Sequence, residues 1–199
     1  MKDLLDRAFG HPRGLLGRIG GAVMAYTNAA TEKHIVEVAD LDAGHTVLVL
    51  GPGPGVGLRA AAERAAVAIG VDPSEDMLRL SEQRCADLVR SGSVRLQAGT
   101  AERTGLDDDS ADVAVTVNNV QLWADRRAGF AEIARVLRPG GRLVLSVHEA
   151  HLSVTRHQLA AEAEAAGFVD VQSWTWDPPG MFAGRAVQLR GVNKKDGAS

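Results

Sequence analysis

Three stretches of this chain place polar or flexible residues where a ligand could be held. The first is Gly51-Pro52-Gly53-Pro54-Gly55-Val56-Gly57, directly after the apolar run Thr46-Val47-Leu48-Val49-Leu50. Glycines at the end of a strand let the backbone turn sharply and approach a ligand with no Cβ in the way. A helix that follows adds unpaired N–H groups and a positive dipole end. The second is Asp72-Pro73, closing the apolar run Val67–Val71 and lying 19 positions after Gly53. A carboxylate there can accept hydrogen bonds from the two hydroxyls of an adenosine ribose. The third is His148-Glu149-Ala150-His151, just after another apolar run. Its histidines have the pKa range of a general base. As a metal site the cluster is weak, because it lacks the helical His spacing of a zinc motif, and no metal is expected.

Loop plus acid points to an adenosine-bearing cofactor. A dinucleotide remains open on these residues alone. Counted from Gly51 the fingerprint G-x-G-x-x-G fails at Val56, but Gly55-Val56-Gly57-Leu58-Arg59-Ala60 matches it formally.

These residues need elements to hold them. Strands expected at 46–50, 67–71, 94–98, 112–117 and 142–147 alternate with helical stretches, which predicts a parallel sheet with helices on both faces. Near-continuous apolar strands agree, since such strands are buried on both sides. The helices are expected over about 28–39, 58–66, 74–90 and 125–137. Another is expected from the capping box Thr155/Gln158 to about 166. Arg138-Pro139-Gly140-Gly141 stops the fourth of these. Strands at 168–176 and 183–190, joined by Asp177-Pro178-Pro179-Gly180, are expected to pair antiparallel. The predicted fold is α/β: a doubly wound, Rossmann-like seven-stranded sheet, mostly parallel, with an antiparallel C-terminal strand. One domain is expected: a helical cap or lid over 1–43, a core over 44–190 and a polar tail over 191–199.

Composition bounds the partners. The chain has 199 residues, a net charge of −3, 45% hydrophobic residues and one cysteine, Cys85. No basic field advertises nucleic acid, and no disulfide framework is possible. No apolar run is long enough to cross a membrane, and the N-terminus lacks a signal-peptide pattern, so a cytoplasmic protein is expected.

With those motifs in place, the chain resembles the class I S-adenosylmethionine-dependent methyltransferases. Within them it is similar to the small-molecule branch that includes quinone-biosynthesis methyltransferases. The matching stretches are 47–55, 71–77, 98–106, 112–123 and 134–141, with Ala166-Gly167-Phe168 before the sixth strand. The resemblance implies that Gly51, Gly53 and Gly55 wrap the methionine and ribose of S-adenosylmethionine. Asp72, followed by Pro73, would hold the ribose hydroxyls, and Met77 would lie against adenine. Thr100, Ala101 and Glu102 would line the adenine edge. Thr100 stands where the family usually has an Asp, so Glu102 is the candidate to compensate. Asn118 would face the methionine end and the transferring methyl. The product cofactor would be S-adenosylhomocysteine.

Methyl transfer from a sulfonium asks the protein mainly for alignment, plus a base where the acceptor must lose a proton. His148 is the best-placed base. A small, apolar or planar acceptor is expected above the strand ends. Its candidate contacts are Met24, Tyr26, Asn28, Gln121, Trp123, Trp176, Met181 and Phe182. Two rivals stay open: a binding protein of this fold without transfer activity, and an NAD-dependent oxidoreductase. The residues do not define an oligomeric state.

Overall fold

The computed structural model describes residues 28–179 and 184–194. The described chain begins in a helix, α1, over residues 28–38. It continues through β1 (Thr46–Leu50), α2 (Val56–Ala62), β2 (Val67–Asp72), α3 (Glu75–Arg84), α4 (Ala86–Ser91), β3 (Val94–Ala98) and β4 (Ala111–Val117). Then follow α5 (Arg126–Val136), β5 (Leu137–His148), α6 (Arg156–Ala165), β6 (Phe168–Trp176) and β7 (Ala186–Asn193). The strands form one seven-stranded sheet in the order β3-β2-β1-β4-β5-β7-β6. Neighbours from β3 through β5 pair parallel, and β7 runs antiparallel between β5 and β6.

The central strands β1, β2 and β4 are buried on both faces, and each face of the sheet carries its own core. On one, Ile35 and Val36 of α1, Ala39 just after it, and Leu58, Ala60 and Ala61 of α2 pack over Val47, Val49, Val113, Val115 and Val144. On the other, Phe130 and Ile133 of α5 and Leu159 and Ala163 of α6 pack over Leu48, Ala114, Leu143, Leu145 and Leu189. Each fully buried Leu, Ile or Phe contributes about 1.5–3 kcal/mol. Capping agrees with the sequence. The Ser74 hydroxyl accepts from Met77 N–H at 3.4 Å, and Thr155 and Gln158 form the expected capping box.

Four boundaries depart from expectation. The helix expected over 74–90 is divided at Cys85 into α3 and α4, and the buried Cys85 thiol lies 3.8 Å from the Gly55 carbonyl. Helix α2 starts earlier and stops at Ala62. Residues 138–141 do not simply end α5. They form a bulge inside β5, where the register jumps from Ala111↔Leu137 to Val113↔Arg142. The last strand spans 186–193, not 183–190, so 191–193 belong to the sheet and not to a tail. Asn193 is buried there, with Nδ2 donating to the carbonyls of Ala134 and Leu137 at 2.9 Å each.

The chain order reverses at β1. One direction leads to β2 and β3, and β4 then returns on the other side of β1. Ligands in open α/β sheets bind at the carboxyl ends of strands beside such a reversal. Among the described residues no helix is long and apolar enough to cross a membrane.

Candidate functional site

The glycine loop is held from below. Ser81 Oγ donates to the Gly53 carbonyl at 2.9 Å, and Arg84 Nε donates to the Pro54 carbonyl at 2.7 Å. Gly51, Gly53 and Gly55 all have positive φ, at 68°, 52° and 86°. Their surroundings differ. A Cβ on Gly51 would overlap the Asn119 carboxamide, and one on Gly55 would meet Ser81 at 2.9 Å. A Cβ on Gly53 would project into open space. The loop is therefore packed at its two ends and open at its middle, which is the form of a cradle. The formal fingerprint from Gly55 to Ala60 falls elsewhere. Gly55 caps α2, and the remaining five residues lie on the helix itself. The turn that faces the crevice begins at Gly51.

Asp72 is 7% exposed at the end of β2, and one carboxylate oxygen accepts from Ser74 N–H at 2.9 Å. Pro73 is exposed beside it, and Met77, one turn into α3, is buried. Ala101 is buried at the next strand end, and Thr100 is exposed, paired with Arg103 in a tight turn. Glu102 is committed to α5, since its Oε1 accepts from Asp125 N–H at 3.1 Å. Partial burial pulls the Glu102 carboxyl upward. Hydrogen bonds from the Asp125 backbone and the Thr100 hydroxyl outweigh it and hold the group below the ordinary range. A carboxylate after a glycine cradle, an apolar thioether and a small buried alanine fit an adenosyl group with a sulfonium tail.

The opposite wall is organised by Asn118. It sits just past β4 with φ of 49°, a left-handed conformation that Asn tolerates better than most residues. Its Oδ1 accepts from His148 N–H at 2.7 Å, and its Nδ2 donates to Asn28 Oδ1 at 3.0 Å. One carboxamide thus ties the ends of β4 and β5 to α1. Gln121 Nε2 donates to the Asn118 carbonyl at 2.8 Å. Trp123 is half-buried. Its Nε1 donates to Asn119 Oδ1 at 2.5 Å, and its ring stands edge-on to Phe130 at 5.4 Å.

His148 is half-buried at the end of β5, with Nδ1 buried and unpartnered. Burial and the nearby His151 ring, 5.1 Å away, hold the imidazole below its ordinary pKa. Trp176 stacks on His34 of α1 at 4.1 Å and 7° between planes. No motif marks His34 in the sequence. Its context is tertiary, because the partner lies 142 positions away, at the far edge strand of the sheet. Met24, Tyr26, Met181 and Phe182 lie outside the described residues. Two further groups at the site had no sequence signal. Asn119 bridges Gly51 and Trp123. Glu32 Oε2 accepts from Gly57 N–H at 2.5 Å, capping α2 from a different helix.

Comparison with known proteins identifies the family and the fold. Residues 48–145 match the family described as methyltransferase domain. The chain is 31% identical over 162 residues to an uncharacterized methyltransferase, YdaC of Bacillus subtilis, covering 77% of this chain and 87% of that one. It is 35% identical over 118 residues to a demethylmenaquinone methyltransferase of Clavibacter sepedonicus, covering 58% of this chain but only 44% of that protein. In fold it is similar to phosphoethanolamine N-methyltransferase 2 of Haemonchus contortus, solved with S-adenosyl-L-methionine. The TM-score is 0.78 at 17% identity, over 97% of this chain and 60% of that one. The sheet order, the glycine loop after β1 beside Asp72 at the end of the neighbouring β2, and the length of the match to YdaC converge. The chain belongs to the class I S-adenosylmethionine-dependent methyltransferases.

Proposed function

We propose that this methyltransferase acts on a small metabolite, apolar or planar, held between the glycine cradle and the wall built by Asn118 and His148. The observation that carries the reading is the Asn118 carboxamide. It joins α1, β4 and β5 at the carboxyl ends of the parallel strands, the same edge of the sheet that carries Gly53 after β1 and Asp72 at the end of β2. The cofactor, when bound, would supply an electrophilic methyl on sulfur, which passes to the acceptor by in-line displacement as the methyl–sulfur bond breaks and S-adenosylhomocysteine leaves.

The chain's own residues have three tasks. Gly51, Gly53 and Gly55 admit the cofactor's tail, while Asp72, Pro73, Met77, Thr100, Ala101 and Glu102 border its adenosyl part. Asn118 and the residues after β4 set the angle of approach; a misplacement of about 1 Å in such a step can cost 10²-fold in rate. His148 takes the acceptor's proton at an imidazole nitrogen, a role favoured by the burial that keeps the ring neutral near pH 7. Trp176, Trp123, Gln121 and Asn28 border the acceptor. Aromatic residues at this rim favour a flat or greasy molecule. The name of the Clavibacter relative, which carries a quinone, supports the same class.

The test is calorimetric titration with S-adenosylhomocysteine and with NADH, on the wild type and on Asp72→Ala, followed by an acceptor screen read by mass spectrometry. Binding of S-adenosylhomocysteine, weakened in the variant, and methylated product from a small planar acceptor are expected. Product only from a nucleic acid or protein would overturn the substrate class.

A further inference from the structure

The connection from β3 to β4, residues 99–110, contains no helix. Connections in parallel sheets usually carry one, which covers the face it crosses. Here α2 and α4 cover one face of β2 and β3, with Ala68, Val94 and Leu96 beneath them. The other face is left to the connection itself. A cavity of about 290 Å³ lies there, at the amino-terminal ends of β1 and β2. It is at the opposite edge of the sheet from the glycine loop.

Strand pairing builds its floor. Thr46 pairs with Val67, Ile69 with Arg95 and Val71 with Gln97. Leu48, Ile69 and Val71 belong to the core that α5 covers, so alternation turns Thr46, Val67, Arg95 and Gln97 to that same face. Gln97 Nε2 donates to the Thr104 carbonyl at 2.9 Å, and Gly105 turns against that amide with φ of 74°. Leu106, Asp107 and Ser110 of the connection line the cavity from its other side. Arg95 and Asp107 are exposed and Val67 is half-buried, so the cavity is open to solvent.

The neighbouring acids Asp108 and Asp112 are held by Arg135 and Arg138. Arg95 and Asp107 differ. The Asp107 carbonyl accepts from Ser110 Oγ at 2.7 Å, but its carboxylate is free. Among the described residues neither the Arg95 guanidinium nor the Asp107 carboxylate has a partner, and they do not pair with each other. A single exposed charge is ordinary. Two of opposite sign at one cavity, one from the sheet and one from the connection, with Val67, Ile69 and Leu106 as its apolar lining, form a recognition pattern.

We propose that this cavity binds a zwitterionic α-amino acid with an apolar side chain. Its carboxylate lies on Arg95, its ammonium on Asp107 and its side chain on Val67, Ile69 and Leu106. A simple anion would meet the Asp107 charge and a simple cation the Arg95 charge, so each is disfavoured. A volume of about 290 Å³ is at the small end of ligand cavities, which suits a ligand of this size and not a dinucleotide. The site is separate from the edge where methyl transfer takes place.

The test titrates the full chain with L-leucine and L-phenylalanine, with and without S-adenosylhomocysteine, by calorimetry and by amide signals in NMR. Both amino acids are expected to bind equally well in either condition and to shift the signals of Leu106, Asp107 and Ser110. L-leucinamide lacks the carboxylate, 4-methylpentanoate the ammonium and glycine the side chain. Each should bind at least about 5-fold more weakly than L-leucine. Arg95→Met and Asp107→Asn should weaken L-leucine by a similar factor at an unchanged melting temperature, since both residues are exposed. Failure of both amino acids to bind overturns the proposal, as does displacement of L-leucine by S-adenosylhomocysteine. Unchanged L-leucine affinity in either variant does the same, and so does equal affinity for L-leucine and 4-methylpentanoate.

Discussion

Glu32 of α1 accepts a hydrogen bond from the Gly57 backbone N–H at 2.5 Å, so a carboxyl from one helix caps the first turn of another. Burial pushes this carboxyl up to about 7 from an ordinary 4.5, against the lowering effects of the Gly57 N–H and the Arg84 charge. The folded protein therefore holds more protons here than the unfolded chain between those two values. Stability must fall as pH rises from 4.5 through about 7. Glu32→Gln keeps an oxygen for Gly57 and removes the charge. Expected are near-equal melting temperatures at pH 4.5 and a more stable variant at pH 8, by on the order of 2–3 kcal/mol. Thermal denaturation across that range is the check. A wild-type-to-variant difference that does not change with pH refutes the assignment.

Asn118 should be replaceable neither by a residue that lacks its amide nor by one that only tolerates its backbone. Asn118→Ala loses the bonds to His148 and Asn28 and adds left-handed strain of about 1–2 kcal/mol. Asn118→Gly relieves the strain but not the lost bonds. Both are expected to lower turnover by about 10²-fold, with Asn118→Gly the more stable of the two. Full activity in Asn118→Gly would assign the residue to backbone geometry alone.

Asp72→Asn keeps the shape of the side chain while removing its charge. Hydrogen bonds to a charged acceptor contribute about 1.5–3 kcal/mol. S-adenosylhomocysteine should therefore bind about 10- to 100-fold more weakly by calorimetry. An unchanged dissociation constant would remove Asp72 from the cofactor site.

Gly53→Ala separates folding from binding. Nothing lies within 4 Å of the added Cβ, so the variant should fold, with backbone strain at φ of 52° of about 1–2 kcal/mol. The methyl would occupy the open middle of the cradle. S-adenosylhomocysteine affinity should drop well beyond the stability change. Gly51→Ala should instead fold poorly, because its Cβ would overlap Asn119.

His148 is held low first by burial and then by the neighbouring His151. A base acts in its neutral form, so the acid limb of kcat/KM should lie below the ordinary 6.5. His151→Ala removes the second cause and should move that limb upward. Stability follows the same sign: the folded protein holds fewer protons than the unfolded chain below 6.5, so this histidine destabilises the fold as pH falls there. An acid limb unmoved in His151→Ala, or retained in His148→Ala, would take His148 out of the proton transfer.

Local patterns determined much of this protein. The doubly wound sheet was legible because strands buried on both faces are nearly all apolar, as in 47–50 and 113–115, and because glycine at a strand end is dictated by local backbone geometry. Asp72, Ser74 and the Thr155/Gln158 cap were legible for the same reason: each acts within a few residues of itself. Tertiary structure decided the rest. The break at Cys85 falls where its thiol meets the glycine loop 30 positions earlier. The extension of β7 to Asn193 is caused by carbonyls of α5 and β5. Asn119, Glu32 and His34 became site residues only through partners on other elements, and Glu102 was drawn to α5. Such contacts join residues far apart in the chain, and no local spacing encodes them. Arg95 and Asp107 show the same limit: alternation could have placed Arg95 on a face, but only the path of the connection from β3 to β4 set the two at one cavity.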